Sequence, residues 1–429
     1  MVGNNVRNAA LTSYPGYVAP PVPGIPYGWG NNIFGQLDNN TSGLFPNQKD
    51  GLTTWVSASF VGGEVFAMKS DGTLWSWGSG NNGGFASSDR SSPIQVGNDT
   101  NWTKFSKFNG ASHAMFLKSN GTLWSYGQNG NGQLGDITLQ SRSYLTQVGT
   151  DTNWSDVACG NSHTMAIKTN GTLWAWGVNS GGQLGNGAQL NRSSPTQIGA
   201  ETNWYKVYCG NSYTMAIKTN GTLWGWGMNT NGQLGDGTTA NRSSPVQIGL
   251  GTDWADIYPA TDYVATVAIK TDGTLWGWGF GGTYGLGNGI SATYSSPIQV
   301  GTDTNWSNIR FRTNQFVGIK TNGTLWEWNT NGTVTWHKTY FSPTTITSDT
   351  NWKTIKTSIS NDSFSIGIKK DGTLWSWGIN SQGQLGDGTT ISKDSPIQIG
   401  TDTNWNDVSA NDISVAAIKT KWNSLDLGY

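Results

Sequence analysis

Residues 171–177 read Gly-Thr-Leu-Trp-Ala-Trp-Gly, and this line of sequence recurs along the chain. The first tryptophan of each copy is Trp75, Trp124, Trp174, Trp224, Trp276, Trp326 or Trp375. Consecutive copies lie 49 to 52 residues apart. So regular a period is typical of solenoids and propellers, in which each unit packs against its neighbours. We therefore expect one extended repeat architecture in place of the two or three domains that chain length alone would suggest.

A single unit, residues 153–199, predicts four short strands. The predicted elements are strands at 153–160, 163–168, 172–176 and 194–198, an Asn170-Gly171 turn, and a Gly-rich loop at 182–187. An Asn-Gly pair between two strand-like runs is a strong hairpin signal, because a type I′ turn needs positive φ at both central residues. Pro195 stands near the start of the last strand, where proline is tolerated. Four antiparallel strands per unit predict the blade of an all-β propeller.

The two ends of the chain carry complementary halves of one further unit. Residues 405–410 and 414–419 match the first two strands, and the Gly-Thr-Leu-Trp strand does not follow them. Residues 27–30, 35–37 and 44–46 match the missing second half. We therefore expect eight blades, with seven as the alternative, in a ring that is closed by pairing of the N- and C-terminal half-blades. Closure of this kind removes exposed sheet edges. The predicted domains are an N-terminal arm at 1–26 and a propeller at 27–429.

Composition narrows the classes of function. The net charge is −1, charged residues are only 12% of the chain, and no cluster of Lys and Arg occurs. Binding to nucleic acid depends on neutralising phosphates, so we expect none. No apolar run is long enough for membrane insertion, and residues 1–10 do not resemble a signal peptide, so we expect a soluble chain made in a cytoplasm. Cys159 and Cys209 occupy equivalent repeat positions and are predicted to be buried and reduced.

Several motifs resemble one known repeat family. His163-Thr164 is followed by the Gly-Thr-Leu-Trp line and then by Gly-Gln-Leu-Gly at 182–185, and similar loops stand at 232–238 and 383–389. This pattern is similar to the repeats of the regulator-of-chromosome-condensation family, and its near-identical, short-looped units resemble the prokaryotic and phage branch. The resemblance covers nearly everything after residue 26. It implies a propeller, which in this family typically has seven blades.

The resemblance also implies several functions. The founder of the family is a nucleotide exchange factor for a small GTPase, and it also docks on chromatin. Its exchange activity needs a projecting wedge, which this chain lacks. Phage relatives are often structural proteins of the virus particle, and bacterial relatives are often interaction modules. Fold by itself does not decide among these roles.

Most residues that could suggest chemistry have a structural explanation. Twenty-two of the 24 tryptophans fall at repeat positions and are expected to pack between blades; Trp336 and Trp422 do not. His113 and His163 share a repeat position with Tyr213 and Glu64, which a catalytic or metal-binding histidine would not tolerate. No catalytic set, metal site or phosphate loop stands out. We therefore expect no enzymatic activity, no cofactor and no metal.

The sixth unit departs most from the repeat and contains the candidate partner-binding residues. It lacks Gly-Gln-Leu-Gly, and its sequence from 327 to 341 concentrates aromatic and polar side chains. Loops of this kind on a rigid scaffold are typical binding sites. The candidates are Glu327, Trp336, His337, Tyr340 and Phe341, together with Trp422. Decay of the repeat explains the same residues equally well.

Residues 1–26 form a Pro-rich segment with spaced apolar residues and no core of its own. It is either a loose tail or an assembly arm that lies on a neighbouring subunit. The candidate anchors of such an arm are Tyr14, Tyr17, Val18, Val22 and Ile25.

Three functions therefore remain open. The first is a structural or interaction protein of a virus particle, such as a fibre, spike or decoration protein, assembled in the host cytoplasm from protein subunits; a cytoplasmic location is the alternative. The second is recognition of a cell-surface glycan or protein. The third is a GTPase exchange factor or an enzyme inhibitor, by family analogy.

Overall fold

The computed structural model describes most of the chain between residues 24 and 420. The described ranges are 24–31, 43–48, 54–78, 90–106, 112–260, 265–281, 286–312, 315–329, 342–358, 364–411 and 413–420. Within them the secondary structure consists of β-strands and turns, with no helix. No helix that could cross a membrane occurs in these ranges either.

The described ranges contain thirty-two strands. They are β1 (Gly24–Gly30), β2 (Gly43–Gln48), β3 (Trp55–Val61), β4 (Glu64–Lys69), β5 (Leu74–Gly78), β6 (Arg90–Gln95), β7 (Trp102–Phe105), β8 (His113–Lys118), β9 (Leu123–Gly127), β10 (Arg142–Gln147), β11 (Trp154–Cys159), β12 (His163–Lys168), β13 (Leu173–Gly177), β14 (Arg192–Gln197), β15 (Trp204–Cys209), β16 (Tyr213–Lys218), β17 (Leu223–Gly227), β18 (Arg242–Gln247), β19 (Trp254–Pro259), β20 (Ala265–Lys270), β21 (Leu275–Gly279), β22 (Tyr294–Gln299), β23 (Trp306–Arg312), β24 (Gln315–Lys320), β25 (Leu325–Asn329), β26 (Thr344–Thr345), β27 (Trp352–Thr357), β28 (Phe364–Lys369), β29 (Leu374–Gly378), β30 (Lys393–Gln398), β31 (Trp405–Ala410) and β32 (Ser414–Thr420).

The strands group into four-stranded antiparallel units, which we number as blades. Blades 1 to 7 run from β3–β6 to β27–β30 in chain order, and blade 8 combines β31 and β32 with β1 and β2. The first strands of consecutive blades contact one another, so they line the central axis, while the fourth strands form the rim. The all-β propeller of four-stranded blades that the sequence predicts is confirmed.

Blade 8 closes the ring as the complementary half-units predict. All seven residues of β1 pair with β32, from Gly24 opposite Thr420 to Gly30 opposite Ser414. The strand begins at Gly24, three residues before the start at 27 that the sequence suggested, and Ile25 therefore lies inside it. One residue pair, Gly24 with Trp55, also connects blade 8 to blade 1, so the hydrogen-bonded sheets number seven although the four-stranded units number eight.

Apolar clusters between neighbouring blades hold the ring together. Eight clusters each combine side chains of two consecutive blades, and the series runs from blades 1 and 2 round to blades 8 and 1. In the cluster between blades 2 and 3, for example, Met115 and Leu117 pack against Trp154 and Val157. Because each blade faces two neighbours, aromatic residues at the repeat positions are largely buried there. Cys159 and Cys209 are buried in these clusters as reduced thiols.

The hairpin turn explains the recurring Asn-Gly-Thr-Leu-Trp line. Asn170 Oδ1 accepts a hydrogen bond from the Thr172 hydroxyl at 2.7 Å, and that hydroxyl accepts one from Trp174 Nε1 at 2.9 Å. Gly171 has a φ of +76°, and a Cβ there would lie 2.0 Å from the carbonyl oxygen of Thr202. Only glycine suits both conditions. The motif is therefore a turn that is built from side chains, as the sequence indicates.

In blades 2 to 8 a lysine at the end of the second strand lies over two aromatic rings and pairs with an acid; the rings are tryptophans except in blade 8, where one is Tyr27. Lys168 Nζ lies 3.8 Å from the centroid of the Trp174 ring and 4.7 Å from that of Trp154. It also lies 2.9 Å from Asp151 Oδ2. A cation above aromatic faces is stabilised most when it is removed from water, as these lysines are. The arrangement recurs with Lys118, Lys218, Lys270, Lys320, Lys369 and Lys419.

The ring has two distinct faces. The hairpin turns and the connections between blades share one face, as the bond from Trp204 N to Gly171 O shows, and we call it the turn face. The loops between first and second strands and those between third and fourth strands share the other, which we call the loop face. The bond from Val178 N to Ser162 O joins two such loops.

Candidate partner-binding surface

Most of the residues that the sequence selects for binding lie outside the described ranges. Trp336, His337, Tyr340, Phe341 and Trp422 do so, as do the arm residues Tyr14, Tyr17, Val18 and Val22. Their roles stay predictions. Of the selected residues the structure describes two. Ile25 is half-buried in β1, opposite Lys419, so it belongs to the closing strand of the ring.

The second described candidate, Glu327, is buried, and this corrects its assignment to a partner surface. It is only 1% exposed, and Trp377 Nε1 of the next blade lies 3.4 Å from its Oε2. In regular blades the equivalent tryptophan donates to a loop carbonyl, as Trp226 does to Gln183 O at 3.0 Å. Blade 6 lacks Gly-Gln-Leu-Gly, so a carboxylate takes over as the acceptor. Blade 1 lacks it too, and there Glu64 accepts from the Tyr126 hydroxyl of blade 2.

The two repeat histidines are structural. His163 is fully buried, and its Nε2 lies 3.2 Å from the hydroxyl of Thr214, which itself donates to Gln183 O at 2.9 Å. Because the Thr214 hydroxyl proton goes to Gln183 O, the hydroxyl oxygen is the acceptor toward His163, and the proton of the neutral histidine is on Nε2. Burial lowers the pKa of His163 to about 4 and that of His113 to about 3. Both rings are enclosed and donate from Nε2 to a threonine hydroxyl, so neither presents an acceptor nitrogen to a bound substrate as a general base does.

The Gly-Gln-Leu-Gly loops form a rigid platform on the loop face. Asn179 is fully buried and donates from Nδ2 to Asn186 Oδ1, Ala188 O and Leu190 O, while its Oδ1 accepts from Leu184 N. Asn129, Asn229 and Asn380 do the same in blades 2, 4 and 7. A buried amide with all these partners fixes the loop. Side chains at the tips of these loops are therefore presented in defined positions.

One loop tip breaks the glycine pattern. Ile137 has a φ of +63°, whereas the equivalent residues of blades 3, 4 and 7 are Gly187, Gly237 and Gly388, with φ from +77° to +81°. The left-handed region is costly for a β-branched residue. The Ile137 side chain is also 79% exposed, so burial does not offset this cost. Replacement of Gly by Ile in the Gly-Gln-Leu-Gly-Asp-Gly pattern is visible in the sequence, although Ile137 is not among the predicted binding residues.

Further exposed apolar side chains lie near Ile137. Leu139 belongs to the same loop, Tyr144 lies on the adjoining strand β10, and Leu190 is at the tip of the next loop. These four are half of the eight large apolar side chains that are exposed in the described ranges. Of the rest, Leu250 is in a connection on the turn face. Among the residues that the structure describes, blades 2 and 3 therefore present the largest group of exposed apolar side chains on the loop face.

At the axis of the ring, two ion pairs connect adjacent blades. Lys104 pairs with Asp156, and Lys206 lies 3.9 Å from Asp256, each pair joining the first strands of adjacent blades. Tyr208 donates its hydroxyl to Asp256. No group of three His, Cys, Asp or Glu side chains with the geometry of a metal site occurs in the described part of the chain.

Comparison with known proteins assigns the family. A sequence profile described as the RCC1-like domain matches residues 23–313, and one for the regulator of chromosome condensation (RCC1) repeat matches residues 371–418. A search of curated protein sequences finds no relative.

Solved structures share the fold. Human WBSCR16 is 16% identical, with a TM-score of 0.63 over 93% of this chain and 100% of its own. Prp20p from Saccharomyces cerevisiae, whose binding to Gsp1p and histones was described, is 17% identical, with a TM-score of 0.61 over 94% and 93%. Yeast RCC1 (Prp20) bound by Kap60 is 16% identical, with a TM-score of 0.62 over 99% and 98%. Because the RCC1-like profile alone covers more than half of the sequence, this chain belongs to the RCC1-like domain family.

Proposed function

We propose that this chain is a non-catalytic protein-binding module that docks a partner on the loop face of blades 2 and 3. The observation that carries the proposal is the exposed, left-handed Ile137. A non-glycine residue in this region costs roughly 1–3 kcal/mol. An exposed side chain recovers almost none of that cost in the isolated chain, whereas an apolar contact with a partner would recover it.

The surroundings support the same role. The loop that carries Ile137 is fixed by Asn129, so the apolar group loses little conformational freedom on binding. Exposed apolar residues on a rigid scaffold are typical of docking sites. The propeller architecture is compatible with this role, since Prp20p is a relative in fold whose binding to Gsp1p and histones was described. At 17% identity that likeness extends to the fold alone.

The finer form of the proposal concerns the kind of partner. The near-identical repeats resemble the prokaryotic and phage branch of the family, and we propose that the partners are structural subunits of a virus particle, with the chain as a fibre, spike or decoration protein. Location in the virion, assembly in the host cytoplasm and the role of residues 1–23 as a tether belong to the same proposal.

A position-specific crosslinking experiment tests the docking face. A photoreactive amino acid replaces Leu190 on the loop face or, as the control, Leu250, which is a 92% exposed leucine on the turn face. Both proteins are irradiated in lysate from the source system. We expect one discrete protein to be crosslinked to position 190 and no such product from position 250. The product at position 190 should disappear when Ile137→Gly is introduced into the same chain. Equal products from both positions, or a product that survives Ile137→Gly, would contradict the proposal.

Co-sedimentation tests the finer proposal. The full chain and a chain that starts at Gly24 are run on a density gradient with the same lysate, because β1 begins at Gly24 and the ring closure is thereby retained. We expect the full chain to move with a large particle and the shortened chain to stay at the size of a free protein. If both stay at that size, the chain is a free binding module and the assembly proposal fails.

A further inference from the structure

The rim of the loop face contains a repeated pair of side chains, one from the loop and one from the first residue of the fourth strand. In blades 2 and 4 it is an ion pair, with Arg142 Nε 2.6 Å from Asp136 Oδ2 and Arg242 Nε 2.6 Å from Asp236 Oδ2. In blade 7 Lys393 lies 3.3 Å from Asp387. Blade 5 has a neutral pair, Asn288 and Tyr294, joined at 2.9 Å. In all four blades the two partners match.

Among the five blades in which this loop is described, blade 3 is the mismatch, because it combines Arg192 with Asn186. In blades 2 and 4 one oxygen of the aspartate accepts hydrogen bonds from within its own loop. Asn186 Oδ1 does the same in blade 3, because it accepts from Asn179 Nδ2 at 3.0 Å and from Ala188 N at 3.2 Å. Those two donors fix the orientation of the amide. The Nδ2 of Asn186 therefore occupies the position of the aspartate oxygen that accepts from the arginine in blades 2 and 4. The amide NH₂ and the guanidinium are both hydrogen-bond donors, so they do not pair.

The second acceptor for the arginine is also missing in blade 3. In blades 2 and 4 the guanidinium Nη2 donates to a threonine hydroxyl, Thr138 or Thr238, at 3.2 Å. The equivalent residue in blade 3 is Ala188. The Arg192 guanidinium consequently has no hydrogen bond or ion pair with any described residue, and Arg192 is exposed, whereas Arg142 and Arg242 are half-buried.

This free cation lies beside the exposed apolar residues. Ile137 N donates to Ser193 O at 2.8 Å, so the loop of blade 2 rests on the residue that follows Arg192. Leu190 precedes Arg192 by two residues, on the same rim. One exposed guanidinium and two exposed aliphatic side chains thus share the rim at the junction of blades 2 and 3.

We infer that this junction binds a segment of a partner protein in which a carboxylate stands next to an apolar side chain. A guanidinium receives a carboxylate through two parallel N–H bonds, which gives direction as well as attraction. Ile137 and Leu190 supply the contact for the neighbouring apolar group. This inference rests on the proposed docking function and names the chemistry of the partner. Asp136 stands one residue before Ile137 and keeps Arg142 paired, so Arg192 is the cation that the site offers.

Selection from a library of random linear peptides displayed on yeast tests the inference on the full-length chain. We expect the selected peptides to be enriched in Asp or Glu adjacent to Leu, Ile or Phe. A selected peptide is then synthesised and titrated against the variants. Asn186→Asp restores the internal pair of blades 2 and 4 and should weaken binding roughly fivefold. It should also remove most of the dependence of the affinity on salt.

The matched control is Asn220→Asp. It adds the same charge on the turn face, where Asp272 and Asp371 occupy the equivalent turns. This variant should bind like the unmodified chain, and neither variant should lower stability, since each aspartate already occurs at its repeat position elsewhere.

Three outcomes would overturn the inference: selected peptides without acidic enrichment, equal binding by Asn186→Asp, or competition by an oligonucleotide as strong as that of the peptide. If Ile137→Gly lowers the affinity for the peptide while Asn186→Asp does not, the docking face is supported and the inference of a carboxylate in the partner is wrong. If neither variant changes binding, the docking face fails as well.

Discussion

Trp29 Nε1 donates a hydrogen bond to the carbonyl oxygen of Gln384 at 3.0 Å, across 355 residues of sequence. The indole is fully buried and packs with Leu385 and Trp405 between blades 7 and 8. In blades 3 and 4 the same bond is made by Trp176 to Gln133 O and by Trp226 to Gln183 O. The N-terminal strand therefore completes blade 8 with the contacts of an ordinary blade.

We expect Trp29→Ala to destabilise the ring locally before it destabilises the whole chain. Loss of a buried tryptophan costs about 3–5 kcal/mol. Strands β1 and β2 are joined to β31 and β32 by strand pairing alone, because no chain link connects β1 to β32. Amide hydrogen exchange in Val415–Ile418 should accelerate at denaturant concentrations where the rest of the ring is still protected.

Trp226→Ala is the matched control for this closure. It removes an equivalent buried tryptophan from a blade whose four strands are continuous in sequence. It should lower the overall free energy of unfolding by a similar amount and leave exchange in β32 linked to global unfolding. Equal local acceleration in both variants would argue against a special weakness at the closure.

The sequence predicts the fold well because each structural contact recurs at fixed positions of the repeat. The turn at Asn170-Gly171 and the buried Trp176 can be inferred from spacing alone, and so can the division of blade 8 between the two ends. Departures from the repeat were harder to interpret. Glu327 looked like a surface residue, and its real role depends on Trp377, which lies 50 residues away in the next blade. Ile137 gave a readable signal, but its exposure and its contact with Ser193 O exist only in the folded ring.

Glu327→Ala tests the structural role of this carboxylate. The change leaves the Trp377 N–H without its acceptor in a buried position, and we expect a loss of about 1–3 kcal/mol in the free energy of unfolding. Urea denaturation at neutral pH measures it. Glu201→Ala is a control, because Glu201 pairs with Lys218 from a side chain that is 47% exposed and should cost at most about 1 kcal/mol. A Glu327→Ala variant as stable as the unmodified chain would show that Trp377 needs no such partner.

The buried histidines predict sensitivity to acid. The folded pKa of His163, about 4, lies below its usual value of 6.5, so the unfolded chain binds the proton more readily. Stability is therefore fully present above pH 6.5 and falls as the pH drops toward 4, by roughly 3 kcal/mol for this residue. Urea denaturation at pH 7 and at pH 4 measures the difference.

His163→Tyr should remove this part of the acid sensitivity while keeping the fold. Tyr213 occupies the equivalent position, above Gly210 as His163 is above Gly160, and its hydroxyl donates to Ala265 O at 2.8 Å. We expect the decrease in the free energy of unfolding between pH 7 and pH 4 to be smaller by roughly 3 kcal/mol in this variant. The larger ring should lower the free energy of unfolding at pH 7 by less than about 2 kcal/mol. An unchanged loss between the two pH values would mean that His163 does not titrate with unfolding.

Ile137→Gly separates stability from function at the candidate surface. Glycine adopts a φ of +63° freely, so the change should raise the free energy of unfolding by about 1 kcal/mol after the entropy of glycine is subtracted. The reciprocal variant Gly237→Ile places isoleucine at a φ of +81°, where the nearest atom to a Cβ is Ser296 Oγ at 3.6 Å, and should cost about 1–3 kcal/mol through the backbone alone. Urea denaturation of both variants provides the test. If Ile137→Gly raises the free energy of unfolding and also abolishes the crosslink at Leu190, Ile137 contributes to binding and not to stability. If Ile137→Gly instead destabilises the chain, the isoleucine has a structural role and the argument for a docking face loses its main support.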